Sequence, residues 1–415
     1  MIVNNPFSAL RKRNFRYYWI GMCVSTTGTW MQNIAQPWLA YKLTNSPLLL
    51  SLITALQFLP MLLFSLFAGV LIDRLPKKKI IIFTQTGSLL ITLVLTILVW
   101  SGKIQYWHLL TTSLVLGIIN TLDMPARQSF LIELVGKEDL MDAIALNTAV
   151  FNLSRTIGPA IAGIVMKYWG IAACFLINSI SFGAVVISLF FIKPMHINLN
   201  TNKEESIFKN IADGLKYIYR NKILFVTILI MSVVGTFAPN FNVLVPVFSI
   251  QVLNQNETGY GLLMSCMGIG AFIGAMLIAA TSKSGPKKFL MFIVPLIVGA
   301  LLIVTGLTRT YTLTGISLAI TGLVFVMFTS NANSTMQINS DNEYLGRVMS
   351  VYSLVFAGST PIGNLYAGAI AEHLSASMGF VACGAIILIL MVPIYLYLIQ
   401  MKKHKTNINA GEQNE

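Results

Sequence analysis

Asp123 and Arg127 stand four residues apart in "LDMPARQ", with Pro125 between them. At i and i+4 on a helix, a carboxylate and a guanidinium share one face and can pair. The chain upstream, from Trp107, is apolar. Since about 20 residues cross a bilayer, the pair falls in the second half of a span and not in a loop. Ionisable groups there are costly, turn toward protein and usually pair. Pro125 frees a carbonyl one turn earlier and loosens the helix beside them. Two chemistries fit. Asp123 can gain and lose a proton while exchanging partners, with Arg155 in the next span as a competing cation. Alternatively, the pair is a fixed bridge that never titrates.

A second constellation is neutral. Thr26, Trp30, Asn33 and Gln36 recur at helical spacing in the first span. Asn120, the stretch holding Phe237, Asn240 and Phe241, and the pair Asn331 and Asn333 have similar character. Amides and aromatics lining a cleft suit a sizeable, partly apolar ligand with hydrogen-bonding groups. Taken singly, each amide fits an interhelical hydrogen bond equally well.

Long apolar helices must position these groups. Of 415 residues, 55% are hydrophobic and 10% charged, against about 25% charged in soluble domains. The sequence is therefore all-α and polytopic, with twelve expected spans: 15–39, 47–72, 80–100, 107–134, 143–168, 171–192, 223–246, 260–281, 289–308, 313–336, 348–371 and 379–401. It divides into a bundle 1–192, a linker 193–222, a second bundle 223–401 and a tail 402–415. In the linker, Ile207, Ile211, Leu215, Ile218 and Tyr219 form one face of an amphipathic helix expected to lie on the membrane surface.

The net charge of +13 would suggest nucleic acid in a soluble protein. Here lysines and arginines crowd segments 11–16, 74–79, 193–222, 283–288 and 402–405, whereas the alternate segments hold only Lys42, Lys103, Lys167 and Arg309. The positive-inside rule then puts both termini in the cytoplasm, and nucleic acid is not an expected partner. Pro76-Lys77-Lys78 is echoed by Pro286-Lys287-Lys288, and Gly158 and Gly163 by Gly363 and Gly368. The halves read as diverged copies in one orientation.

The pattern of Gly69, Leu71, Asp73, Arg74 and Lys77 to Lys79 resembles the loop signature of the major facilitator superfamily. "DMPARQSFLIELV", "NLSRTIGPAIAG" and "LGRVMSVYSLVFAGSTPIGNLYAG" are similar to its enterobactin-exporter and macrolide-efflux branch. The resemblance implies alternating access. It also implies that Asp73, with Gly69 and Arg74, latches onto the start of the eleventh span near Arg347. Gly158, Pro159 and Gly163 resemble the antiporter motif of drug exporters. The expected function is proton-coupled efflux of a siderophore or macrolide-like compound from the bacterial inner membrane, by a monomer. Partners are that small molecule, protons and the lipid bilayer, with no cofactor, no metal and no enzymatic step. The rival readings are a facilitator or importer of small polar solutes, and a non-transporting sensor or assembly partner.

Overall fold

In the computed structural model the described residues are 8–136, 138–193, 207–281, 285–341 and 343–411. Fourteen α-helices follow a short 3-10 turn: α1 Arg13–Thr44, α2 Pro47–Arg74, α3 Lys77–Trp100, α4 Tyr106–Val135, α5 Leu140–Trp169, α6 Ile171–Phe190 and α7 Ile207–Arg220. Then come α8 Lys222–Phe237, α9 Phe241–Gln251, α10 Glu257–Thr281, α11 Lys288–Leu307, α12 Tyr311–Ile338, α13 Leu345–His373 and α14 Ala376–Gly411. α14 continues ten residues past the expected end of the last span, at 401, into the segment read as a tail.

Short turns with specific caps reverse the chain. Asn45 closes α1 in the left-handed region, and the Ser46 hydroxyl accepts from the Leu49 N–H to open α2, with Pro47 in its first turn. Gly170, at φ +82°, separates α5 from α6. Among the described residues, eleven segments are long and apolar enough to cross a membrane. The twelfth expected span is α1, which has the length, 32 residues, but not the hydropathy. Its buried glutamines explain the deficit.

The seventh span is broken, not continuous. α8 ends at Phe237 and α9 restarts at Phe241, the pair together reaching Gln251 and not stopping at 246. Pro239 has no N–H for the ladder. Asn240 answers two carbonyls left open at the break, its Nδ2 donating to Phe237 O at 3.1 Å and Thr236 O at 3.2 Å.

Helices α1–α6 pack among themselves, as do α8–α14. The two sets meet chiefly along α2 against α13 and α5 against α10, with α9 touching α1 and α2. Both long seams rest on glycines, where helices approach to backbone contact. A Cβ on Gly163 would lie 2.9 Å from Glu257 O, and one on Gly268 2.7 Å from Arg155 O. Gly368 abuts Ser51 and Pro47. The end where α1 begins and α2 ends is called here the basic face, and the opposite end the far face.

α7 docks on protein through a face that shares Ile218 with its apolar stripe but is turned toward Asp213 and Tyr217. Tyr217 stacks on Tyr344 at 4.4 Å, and its hydroxyl donates to Asp341. Arg347 pairs with Asp213 at 3.7 Å, and Ile218 is buried. Leu215 and Tyr219 are exposed instead. The side chains of Ile207 and Ile211 lie outside the described residues.

Candidate functional site

At the basic face, α4 packs chiefly on α1, α2, α3 and α5, and α12 chiefly on α8, α10, α11 and α13. Between α1, α4 and α5 lies a cavity of about 450 Å³. Its walls are Tyr18, Met22 and Thr26 from α1, Arg127, Gln128 and Leu131 from α4, and Ile144, Asn147, Thr148, Val150 and Phe151 from α5.

Asp123 is buried behind this wall and fully engaged. Its Oδ2 accepts from Arg127 Nε at 2.5 Å, and its Oδ1 from the Thr84 hydroxyl at 2.5 Å and Gln85 Nε2 at 3.0 Å. Arg127 turns its other edge to the cavity, with Nη1 against Met22 Sδ. The pair is therefore desolvated on the acid's side and open to a ligand on the base's side. Charge-assisted bonds in such a setting are the strong ones.

Arg155 does not pair with Asp123. It lies halfway along α5, donates from Nη2 to Asn152 Oδ1 at 3.1 Å, and sits over the Phe151 ring at 6.0 Å. An uncompensated arginine at mid-bilayer depth costs about 2.5–3.5 kcal/mol on insertion scales. Trp30 meets Phe151 edge-on at 5.6 Å, and its Cβ lies 2.7 Å from where a Cβ on Gly158 would be. Pro159 and Gly163 face Gly261 across the α5–α10 seam.

The neutral candidates divide. Thr26 lines the cavity, Asn33 is half-buried with no protein partner described, and Asn120 is exposed midway along α4. Gln36 is committed elsewhere: it donates to the Ser113 hydroxyl at 2.6 Å and accepts from Gln32, which in turn accepts from Asn178 at 2.6 Å. This buried chain ties α1 to α4 and α6. In the second half, Asn240 and Phe241 are core residues at the helix break, and Phe237 packs edge-on against Tyr366 at 5.2 Å. Asn331 clamps the α10–α11 turn, accepting from Lys287 N at 2.8 Å and donating back to Lys287 O. Asn333 accepts from Gln337 at 2.6 Å. The structure thus brings Thr26, Trp30, Arg127, Phe151 and Arg155 into one neighbourhood and leaves the second-half amides out of it. The surroundings of Gly69 and the side chains of Asp73 and Arg74 lie outside the described residues, and with them the latch to Arg347.

At the far face, contacts bridge the halves. Trp38 stacks on Tyr260 at 5.4 Å, Lys42 pairs with Glu257 at 3.8 Å, and Gln251 donates to Tyr41 at 2.9 Å. Glu372 accepts from the Ser46 hydroxyl at 2.7 Å and from Leu48 N at 3.2 Å. The latter is a carboxylate on the first turn of α2, where free N–H groups favour an anion. The fold is therefore shut at the far face.

Residues 4–414 match the model of the transmembrane secretion effector family, a division of the major facilitator superfamily. The chain belongs to this family. This superfamily transporter is similar to the staphyloferrin A transporter of Staphylococcus aureus, at 24% identity over 358 residues, 84% of this chain and 87% of that protein. It is also similar to macrolide efflux protein A of Streptococcus pyogenes, at 23% over 387 residues, 92% and 95% of the two chains. In fold it resembles a bacterial homologue of the human lysosomal transporter Spinster, at TM-score 0.74 and 12% identity, over 93% of this chain and 97% of that one. Two groups in this transporter escape sequence reasoning. Thr84 and Gln85 hold Asp123, and their only signal is an adjacent polar pair in an apolar span. Glu372, Glu257 and Trp38 at the far face are separated by hundreds of residues from the groups they meet.

Proposed function

We propose that this multi-pass membrane transporter exports a medium-sized amphipathic compound, siderophore- or macrolide-like, by alternating access, driven by the proton gradient. The observation that carries the reading is the cavity at the basic face with Arg127 in its wall and Asp123 paired to it from behind. The lysine and arginine distribution supports a cytoplasmic basic face and cytoplasmic termini, in the inner membrane of a bacterium. Bundles 1–192 and 223–401 then rock about the α2–α13 and α5–α10 seams, as a monomer, with Asp73 and Arg347 latching the basic face when it closes. Substrate enters from the cytoplasm between Thr26, Arg127 and Phe151. In the opposite state a proton reaches Asp123, its carboxylate is neutralised, and Arg127 loses its counter-ion. Release of that proton to the cytoplasm restores the pair.

One observation favours a second reading. Asp123 accepts from three donors, a setting that suits a permanently ionised structural bridge, with transport uncoupled from protons. The test uses protein in liposomes with a trapped pH dye, an imposed gradient, and a panel of siderophores, macrolides and cationic dyes. Proton-coupled export predicts that one compound dissipates the gradient through wild type and not through Asp123→Asn. Compound movement without proton movement, unchanged in Asp123→Asn, would support the structural bridge.

A further inference from the structure

Among the described residues, Arg155 is a cation without a counter-ion. Its guanidinium has one protein acceptor, Asn152 Oδ1, and its Nε is buried with no acceptor. Among the described residues no carboxylate comes within ion-pair distance of it, whereas Arg127 is neutralised by Asp123. A charge held at mid-membrane depth is retained for a partner, and the described residues provide no carboxylate for it.

Its surroundings suit a ligand. Ile144, Thr148 and Phe151 line the cavity along one face of α5. Arg155 is the next member of that row, one turn deeper, since residues three and four apart are helix neighbours. The Phe151 and Trp30 rings, edge to face, supply an apolar wall beside the guanidinium. A planar fork with a free N–H edge matches a carboxylate in two-point geometry.

Resting on the transport reading above, we infer that Arg155 is the anion-binding group of the substrate site. It takes a carboxylate of an amphipathic substrate whose apolar part lies against Phe151 and Trp30. Arg155 is thus a specificity residue, and the preferred substrates are organic acids and not cations or neutral compounds.

The experiment measures binding and transport separately. Purified protein in nanodiscs is titrated with dansyl-glutamate and with its dimethyl ester, following dansyl fluorescence. The expected result is an affinity for the acid at least tenfold above that for the ester in wild type. In Arg155→Gln the preference falls below twofold while ester affinity is kept, which also reports an intact site, and Arg155→Lys retains part of the preference. Equal affinities in wild type, no binding of the acid, or a preference that survives Arg155→Gln would each overturn the inference. The same probes are then offered to proteoliposomes. Arg155-dependent binding without movement of the acid or of any panel compound leaves the site standing and sinks the export reading. Movement of macrolides or dyes with no preference for the acid does the reverse.

Discussion

Replacing Gly261 by alanine should shift the transporter from far-face-closed to far-face-open. The added methyl would meet Pro159 O, Gly163 Cα at 3.0 Å and Gly163 N at 3.1 Å. All three belong to the backbone of α5, so no side chain can swing aside, and ordinary contact requires the helices to part by several tenths of an ångström or more. Overpacking of this kind costs about 1–3 kcal/mol. Gly261 lies one turn from the far end of α10, so the cost falls on the closed far face and vanishes when that end opens. At about 2 kcal/mol, a far-open minority at odds of about 1:30 would reach parity. Spin labels at Lys103→Cys and Thr310→Cys, on opposite halves at the far face and in a cysteine-free background, would report this by pulsed electron resonance as a second, longer distance. Gly235→Ala is the control, because its methyl meets nothing nearer than 3.8 Å. An unchanged distance distribution in Gly261→Ala would refute the claim that this seam closes the far face.

Other outcomes follow from groups that are buried and bonded. Asn240→Ala leaves two carbonyls at the α8–α9 break without a donor and should lower stability by about 1–3 kcal/mol, read as a drop in thermal midpoint in detergent. Gln32→Leu strands the Asn178 amide and Gln36 in the first half and should cost about 2 kcal/mol or more. Because this chain lies away from the cavity, the variant's ligand affinities should stay at the wild-type level once folded. Asp123→Asn keeps the shape but removes the counter-ion of a buried arginine, which costs about 3–5 kcal/mol. Its thermal midpoint should therefore fall even where transport persists.

The helical, multi-span architecture was legible because long apolar runs answer to the bilayer alone. Side-chain assignments were legible only where the partner is close in sequence. Asp123 and Arg127 could be paired from i,i+4 spacing, and α3 positions such as Thr84 could not. Gln36 and Asn33 stand on the same helix with the same amide chemistry, yet one bonds Ser113 and the other is half-exposed. Rotation of α1 against α4 and α6 decides between them, and hydropathy carries no record of that rotation. Asn240 and Asn331 resemble cavity residues in composition, but each satisfies backbone groups freed by a break or turn next to it. α7 adds a second case: Tyr217, Asp213 and Gly214 dock it on α13 through a ring stack, an ion pair and close backbone approach, none of which an apolar stripe reveals.

The docking of α7 on α13 decides which half the linker helix belongs to. Because Tyr217 and Asp213 ride with Tyr344 and Arg347, α7 travels as part of the second body when the halves rock, and its own contacts do not oppose that motion. Resistance to the stroke comes instead from the α2–α13 and α5–α10 seams and from the far-face contacts around Trp38 and Glu372, so the stroke is set inside the membrane.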